Sequence, residues 1–207
     1  AGGAFILGPN ARAFEQEAAD YVGSKYAVAV ANGTDALVLS LRAMDIGPGD
    51  EVITSPFTFF ATAEAISIVG ATPVFADINE VSFNIDPVSV AGLINDKTKA
   101  ILPVHIFGNP ADMTTLRSLA ETHGLRLIED AAQAFGAKWG DETVGSMGDT
   151  GCFSFYPTKV LGCYGDGGLI TTSDEAVRDR LHKLRNHGAT APFTHDELGY
   201  NSRLDEV

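Results

Sequence analysis

The sequence predicts an α/β fold in which a mostly parallel sheet is covered by helices on both faces. Three observations carry that expectation. As far as Asp130, apolar runs of strand length alternate with runs of helix length, and such βα alternation packs as parallel strands joined by crossover helices. Turn signals such as Gly47-Pro48-Gly49-Asp50 and Gly70 punctuate the junctions. The composition, 45% hydrophobic and 20% charged over 207 residues, supplies one substantial core without a disulfide scaffold.

In order along the chain, residues 11–22 set Phe14, Ala18 and Tyr21 or Val22 at helical spacing among acidic residues, which predicts an amphipathic helix. Tyr26–Val30 is a buried strand, and Asn32-Gly33-Thr34-Asp35 turns the chain into a helix over 36–44. After the Gly-Pro-Gly-Asp turn comes a strand at Glu51–Thr54, then a helix of small residues over 58–69. The alternation continues with a strand over 72–76, a helix over 87–94, a strand over 100–104, a helix at Met113–His123 and a strand over 125–128. Beyond Asp130 the pattern shifts to short strands at 135–138, 143–145 and 151–155, then a strand over 169–172 and a long helix over 174–186. Residues 201–207 read as the opening of another helix. One domain spanning 1–207 accounts for the chain, which opens without Met and reads as a fragment cut at both ends.

Lys and Arg number 14 against 27 Asp and Glu, a net charge of −13. This opposes general binding to nucleic acid or anionic membranes, so an anionic ligand needs a site built locally against the field. Cys152 and Cys163 are too few for a zinc motif and read as free thiols of a reducing cytoplasm. No metal site is expected, and no stretch has the pattern of a signal peptide or a membrane span.

Three segments could carry chemistry. The first is Asn32-Gly33-Thr34-Asp35 between strand and helix, where free amides and the helix dipole attract an anion; an ordinary N-cap uses the same residues. The second is Glu129-Asp130 at the carboxyl end of a strand, where open α/β sheets place ligands. A carboxylate there can hold a proton on a cofactor nitrogen, although a helix cap after the strand is the plainer reading. The third is Phe153-Ser154-Phe155-Tyr156-Pro157-Thr158-Lys159, followed by the glycine-rich 162–168 loop. A lysine among apolar residues can become a nucleophilic amine, while a lone Lys is usually a surface charge. The glycines fit neither the GxGxxG nor the GxxxxGK[ST] pattern. A phosphate cradle, a carboxylate for a ring nitrogen and a reactive lysine are together what pyridoxal phosphate chemistry asks of a protein.

These segments, with Phe5-Ile6-Leu7-Gly8-Pro9, Ala31-Asn32-Gly33-Thr34-Asp35-Ala36-Leu37, Pro103-Val104-His105, Ile128-Glu129-Asp130-Ala131-Ala132-Gln133 and Gly199-Tyr200-Asn201-Ser202-Arg203-Leu204-Asp205, occur in order. In that order the chain resembles the DegT/DnrJ/EryC1/StrS family of pyridoxal-phosphate-dependent sugar-nucleotide aminotransferases. The resemblance implies the three-layer α/β/α large domain of fold-type I enzymes, without the smaller C-terminal domain. It implies that Lys159 forms the Schiff base with pyridoxal 5'-phosphate and shuttles the proton, and that Asp130 pairs with the pyridine nitrogen. By the same resemblance Gln133 contacts the phenolic oxygen side, Gly33, Thr34 and Ser154 hold the phosphate, and Phe59 stacks on the ring. Asn201 would reach the phosphate of a neighbouring subunit in a homodimer with shared sites, and Arg203 the donor carboxylate. The implied reaction is a ping-pong transfer from an amino acid, usually L-glutamate, to a nucleotide-linked keto-sugar of deoxysugar or polysaccharide biosynthesis. Lys159 argues against family members that carry His there and act as dehydratases, and the 161–168 loop is similar to members that aminate the 3-keto position. A non-catalytic pyridoxal-phosphate-binding or regulatory module is the alternative. A nucleotide-binding domain using the glycine loop is a third reading. His105, His187 and Trp139 read as packing or dipole contacts, not as catalytic groups.

Overall fold

The structure is a computed structural model that describes residues 3–207. Helix α1 (Pro9–Val22) precedes β1 (Tyr26–Val30), α2 (Gly33–Ala43), β2 (Glu51–Thr54), α3 (Ala61–Ile68), β3 (Thr72–Phe75), α4 (Pro87–Leu93), β4 (Thr98–Ile101), α5 (Met113–His123) and β5 (Arg126–Asp130). A small hairpin, β6 (Lys138–Trp139) with β7 (Glu142–Thr143), leads to β8 (Thr150–Ser154), β9 (Gly168–Thr172) and α6 (Glu175–Leu184). A second hairpin, β10 (Ala189–Ala191) with β11 (Thr194–His195), follows.

The sheet has seven strands in the order β1-β9-β8-β5-β4-β2-β3. From β3 to β8 neighbours pair in parallel, whereas β9 runs antiparallel to both β8 and β1. The mostly parallel sheet expected from the alternation is therefore present, with one reversed strand. The reversal follows from the connection: no helix lies between β8 and β9, and strands joined without a crossover return antiparallel.

Strand alternation sorts the side chains into two cores. On one face Ile53, Ile101, Leu127, Phe153 and Leu169 pack with Ala18 and Val22 of α1 and with Met113 and Leu116 of α5. On the other, Val52, Leu102, Ile128, Cys152 and Ile170 pack with Leu37 and Leu41 of α2, Ala65 and Ile66 of α3, and Leu181 of α6. Helices cover both faces, and no helix among the described residues is long and apolar enough to cross a membrane.

The sequence reading needs correction in four places. Helix α3 starts at Ala61, not at 58, because residues 58–60 form the loop that lines the site below. The strand expected at 135–138 is a turn that ends in β6, paired with β7 outside the main sheet. The β10–β11 hairpin was not foreseen. Residues 201–207 are extended, not helical, because backbone partners already claim them. Ser202 N donates to Arg185 O at 2.9 Å, Leu7 N to Leu204 O at 3.3 Å, and Glu206 N to Phe5 O at 2.9 Å. The Glu206 carboxylate accepts from Asn10 N and Ala11 N at 3.1 and 3.0 Å, which satisfies two donors in the first turn of α1.

Candidate active site

A cavity of about 780 Å³ opens at the carboxyl ends of the parallel strands, where open α/β sheets place their ligands. Gly33, Thr34, Phe59, Asp130, Gln133, Ser154 and Lys159 all line it. Seven of the nine residues singled out from sequence thus line one cavity. Asn201 and Arg203 do not line it. Asn201 is exposed and bridges to Asn186, and Arg203 Nη1 lies 3.4 Å from Asn186 Oδ1.

One end of the cavity is the start of α2. Asn32 caps it, with Oδ1 accepting from Asp35 N at 2.8 Å. Among the described residues the amides of Gly33 and Thr34 have no partner, which leaves two donors and the positive end of the dipole for an anion. Glycine is required at 33 because a Cβ there would lie 2.6 Å from Ser154 Cβ. At Gly168 a Cβ would lie 2.3 Å from Asn32 O. The helix start is thereby pressed against β8 and β9, and the Ser154 side chain is brought beside its free amides.

Asp130 ends β5 and is 5% exposed. Its Oδ2 accepts from Thr62 Oγ1 at 2.8 Å and its Oδ1 from Ala132 N at 3.2 Å. Burial pushes its pKa up, and the hydrogen bonds from Thr62 and Ala132 pull in the opposite direction. A buried carboxylate in this state gains by meeting a cation. No helix follows β5, since residues 132–133 are a turn, so the cap reading of Asp130 falls. Lys159 lies half-buried in the turn after β8, its N donating to Tyr156 O at 2.8 Å.

Glu129, next in sequence, faces the other side of the sheet and is fully occupied. Its Oε1 accepts from Met147 N and Gly148 N at 2.8 and 2.7 Å, and its Oε2 from Gly145 N at 2.8 Å and His105 Nε2 at 3.0 Å. His105 Nδ1 accepts from Ala111 N at 3.0 Å, so Nε2 is the ring nitrogen that donates to Glu129. The packing reading of His105 stands. Trp139 Nε1 donates to Thr114 Oγ1 at 2.8 Å, which ties the β6–β7 hairpin to α5. His187 is exposed just beyond α6, with N donating to Tyr200 O.

Gln133 Oε1 accepts from Phe107 N at 2.8 Å, which leaves its amide nitrogen for a ligand. Phe59 is 71% exposed at the mouth. Cys152 is buried with its pKa pushed up to about 12 by burial, so it is inert as a nucleophile. The sequence reading missed Thr62 and its neighbour Thr58, which also line the cavity. Their i, i+4 spacing was the available signal.

The donor set fits pyridoxal phosphate: two free helix amides beside a serine hydroxyl for a phosphate, a buried carboxylate seeking a cation, and an amine in the same cavity. This sheet, with that cavity at its carboxyl edge, is the fold of the fold-type I pyridoxal-phosphate aminotransferases. The chain belongs to the DegT/DnrJ/EryC1/StrS aminotransferase family, whose profile matches residues 1–207; that family is pyridoxal-phosphate-dependent. It is 54% identical over 203 residues to the UDP-N-acetyl-3-dehydro-alpha-D-glucosamine 3-aminotransferase of Acidithiobacillus ferrooxidans, which covers 98% of this chain and 55% of that protein. The crystal structure of S. venezuelae DesV in complex with a ketimine intermediate superposes with a TM-score of 0.97 at 48% identity, over 99% of this chain and 55% of DesV. NtdA from Bacillus subtilis with bound PMP superposes with a TM-score of 0.92 at 35% identity, over 99% of this chain and 47% of NtdA. The chain spans about half the length of the relatives it matches.

Proposed function

We propose that residues 1–207 are the cofactor-binding large domain of an aminotransferase that moves an amino group from an amino acid to a nucleotide-linked 3-keto-sugar. One observation carries the reading: Lys159, the buried Asp130 and the free amides of α2 line a single cavity in a chain of this family. L-glutamate as donor and the 3-keto position rest on the resemblance and on the relative from Acidithiobacillus ferrooxidans. A cytoplasmic setting is supported by Cys152 and Cys163, both free thiols.

Bound here, pyridoxal phosphate supplies an electron sink for the carbanion left when a proton departs the donor carbon. The residues supply the rest. Gly33 N, Thr34 N and the Ser154 hydroxyl would hold the phosphate. Asp130 would keep the ring nitrogen protonated, its burial making that ion pair strong. The amine of Lys159 would take the proton from one carbon and return it to the other, a general acid-base role. Phe59 would cover the ring face, and the free amide of Gln133 would contact the ring's oxygen substituent. Asn201 and Arg203, which do not line the cavity of their own chain, would act on a second copy in a homodimer, as the resemblance implies.

The test is to load the purified chain with pyridoxal phosphate, reduce with borohydride and map the added mass. Cofactor mass on the Lys159 peptide supports the reading, and its absence overturns it. Amino transfer from L-glutamate to a 3-keto nucleotide sugar then separates an aminotransferase from a domain that only binds the cofactor.

A further inference from the structure

Thr58 Oγ1 and Thr62 Oγ1 lie 2.7 Å apart, and Thr62 Oγ1 lies 2.8 Å from Asp130 Oδ2. The ionised form of Asp130 sets the direction of both bonds. An ionised carboxylate only accepts, so Thr62 gives its one proton to Asp130. The contact with Thr58 must then use the proton of Thr58 and a lone pair of Thr62. The result is a directed row of hydroxyls, Thr58 to Thr62 to Asp130, in which each bond polarises the next. Thr62 is fully buried, so water does not compete for Asp130 from that side. With Ala132 N on Oδ1, each carboxylate oxygen is held once, which fixes the plane of the group.

We propose that Thr62, backed by Thr58, is a positioning residue that holds the Asp130 carboxylate in one orientation, charged and open toward the cavity. The proposal rests on the reading of the cavity as a pyridoxal phosphate site for its consequence, though not for its geometry. Thr62 lies in the first turn of α3, directly after the loop carrying Phe59, so one turn sets both the carboxylate and the residue over the ring. Thr62 is also the chief group opposing the upward push of burial on Asp130. The titratable groups around Asp130 are Lys159 in the turn after β8, His105 after β4, Cys152 on β8 and Glu129 beside it. None of them donates a hydrogen bond to it.

The test compares Thr62→Val, which keeps the shape and removes the hydroxyl, with Thr62→Ser, which keeps the hydroxyl and loses a methyl. Two readouts are needed: the Asp130 carboxyl titration by carbon-13 NMR in the chain without cofactor, and equilibrium binding of pyridoxal phosphate at pH 7. In T62V the midpoint is expected to move up and the affinity to fall about tenfold or more, the scale of one hydrogen bond to a charged group. T62S is expected to stay close to the parent chain in both. A folded T62V with an unmoved midpoint, or a T62S that behaves like T62V, overturns the proposal. Should T62V fail to fold by circular dichroism, T58V decides: a smaller upward move supports the row of hydroxyls and no move overturns it. Failure of the parent reading looks different, because then the unmodified chain itself takes up no pyridoxal phosphate.

Discussion

Glu129 allows a substitution whose cost can be counted from the structure. Its two oxygens accept four hydrogen bonds, from Met147 N, Gly148 N, Gly145 N and His105 Nε2, and the side chain is fully buried. Glu129→Gln keeps the shape but replaces one acceptor oxygen with an NH2 group. Whichever way the amide is turned, the NH2 faces two donors, either Met147 N and Gly148 N or Gly145 N and the His105 Nε2–H. The imidazole cannot rescue the second arrangement by moving its proton, since Nδ1 is already committed to accepting from Ala111 N. Two buried donors are therefore left unmatched in either case. At about 1–3 kcal/mol for each unsatisfied group the loss is about 2–6 kcal/mol, a large share of the ~5–15 kcal/mol that holds a domain together. Urea unfolding followed by circular dichroism measures it. Glu142→Gln serves as the control, because Glu142 pairs with Arg117 at an exposed site, where an ion pair contributes only ~0–1 kcal/mol. If E129Q costs no more than E142Q, the hydrogen-bond count does not describe what holds the turn at 145–148.

Gly33→Ala places a Cβ 2.6 Å from Ser154 Cβ, so α2 must retreat from β8. The expected result is a loss of about 1–3 kcal/mol in unfolding together with weaker pyridoxal phosphate binding; full affinity would show that the cradle is not the phosphate site. Asp130→Asn is expected to flatten the pH dependence of the stability of the chain without cofactor. Burial raises the Asp130 pKa, so the stability linked to its protonated form is complete below the ordinary carboxylate pKa near 4 and is lost as pH rises through the raised value. Asn carries no such loss, so the share of the pH 4 to pH 7 stability difference that belongs to position 130 should disappear from the melting curves of the variant; an unchanged pH dependence would contradict this. Lys159→Ala is expected to abolish borohydride-fixed cofactor and to lower amino transfer by at least ~10²-fold, as read by mass mapping and by coupled assay of the keto acid product.

Periodicity made the fold legible as far as Asp130, because β1, β2, β4 and β5 are largely buried on both faces and are separated by runs of helix length. It could not show that β9 is reversed, since direction depends on the connection and the 155–167 segment has no helical pattern. The misreading of 201–207 has a similar cause: its pattern is that of a helix start, but Arg185 O, Leu7 N and Phe5 O, remote in sequence, already bind its backbone. The site was legible wherever a residue type is unusual in its place, as with Lys159 after an apolar strand or Gly33 at a helix start. Thr62 is easily passed over, because a threonine spaced i, i+4 from another among small helical residues looks like packing until its hydroxyl is seen 2.8 Å from a carboxylate.

Glu129 and Asp130 show what separates a structural carboxylate from a chemical one. In sequence they are one acidic pair, and both are buried. Strand alternation turns them to opposite faces. A carboxylate offers about four lone-pair sites. The four donors on Glu129 use all of them, so it has nothing left to offer a ligand and serves to pin the 145–148 turn. Asp130 receives two, from Thr62 and Ala132, and its remaining capacity is buried at the edge of a cavity that also holds an amine. A charge left half-satisfied in a dry place costs stability. Under the proposed function a cationic ring nitrogen would relieve that cost, and the relief would itself be a source of binding energy for the cofactor. The same imbalance makes the chain without cofactor less stable than it could be, and on the proposed function it would favour a ligand with a protonated ring.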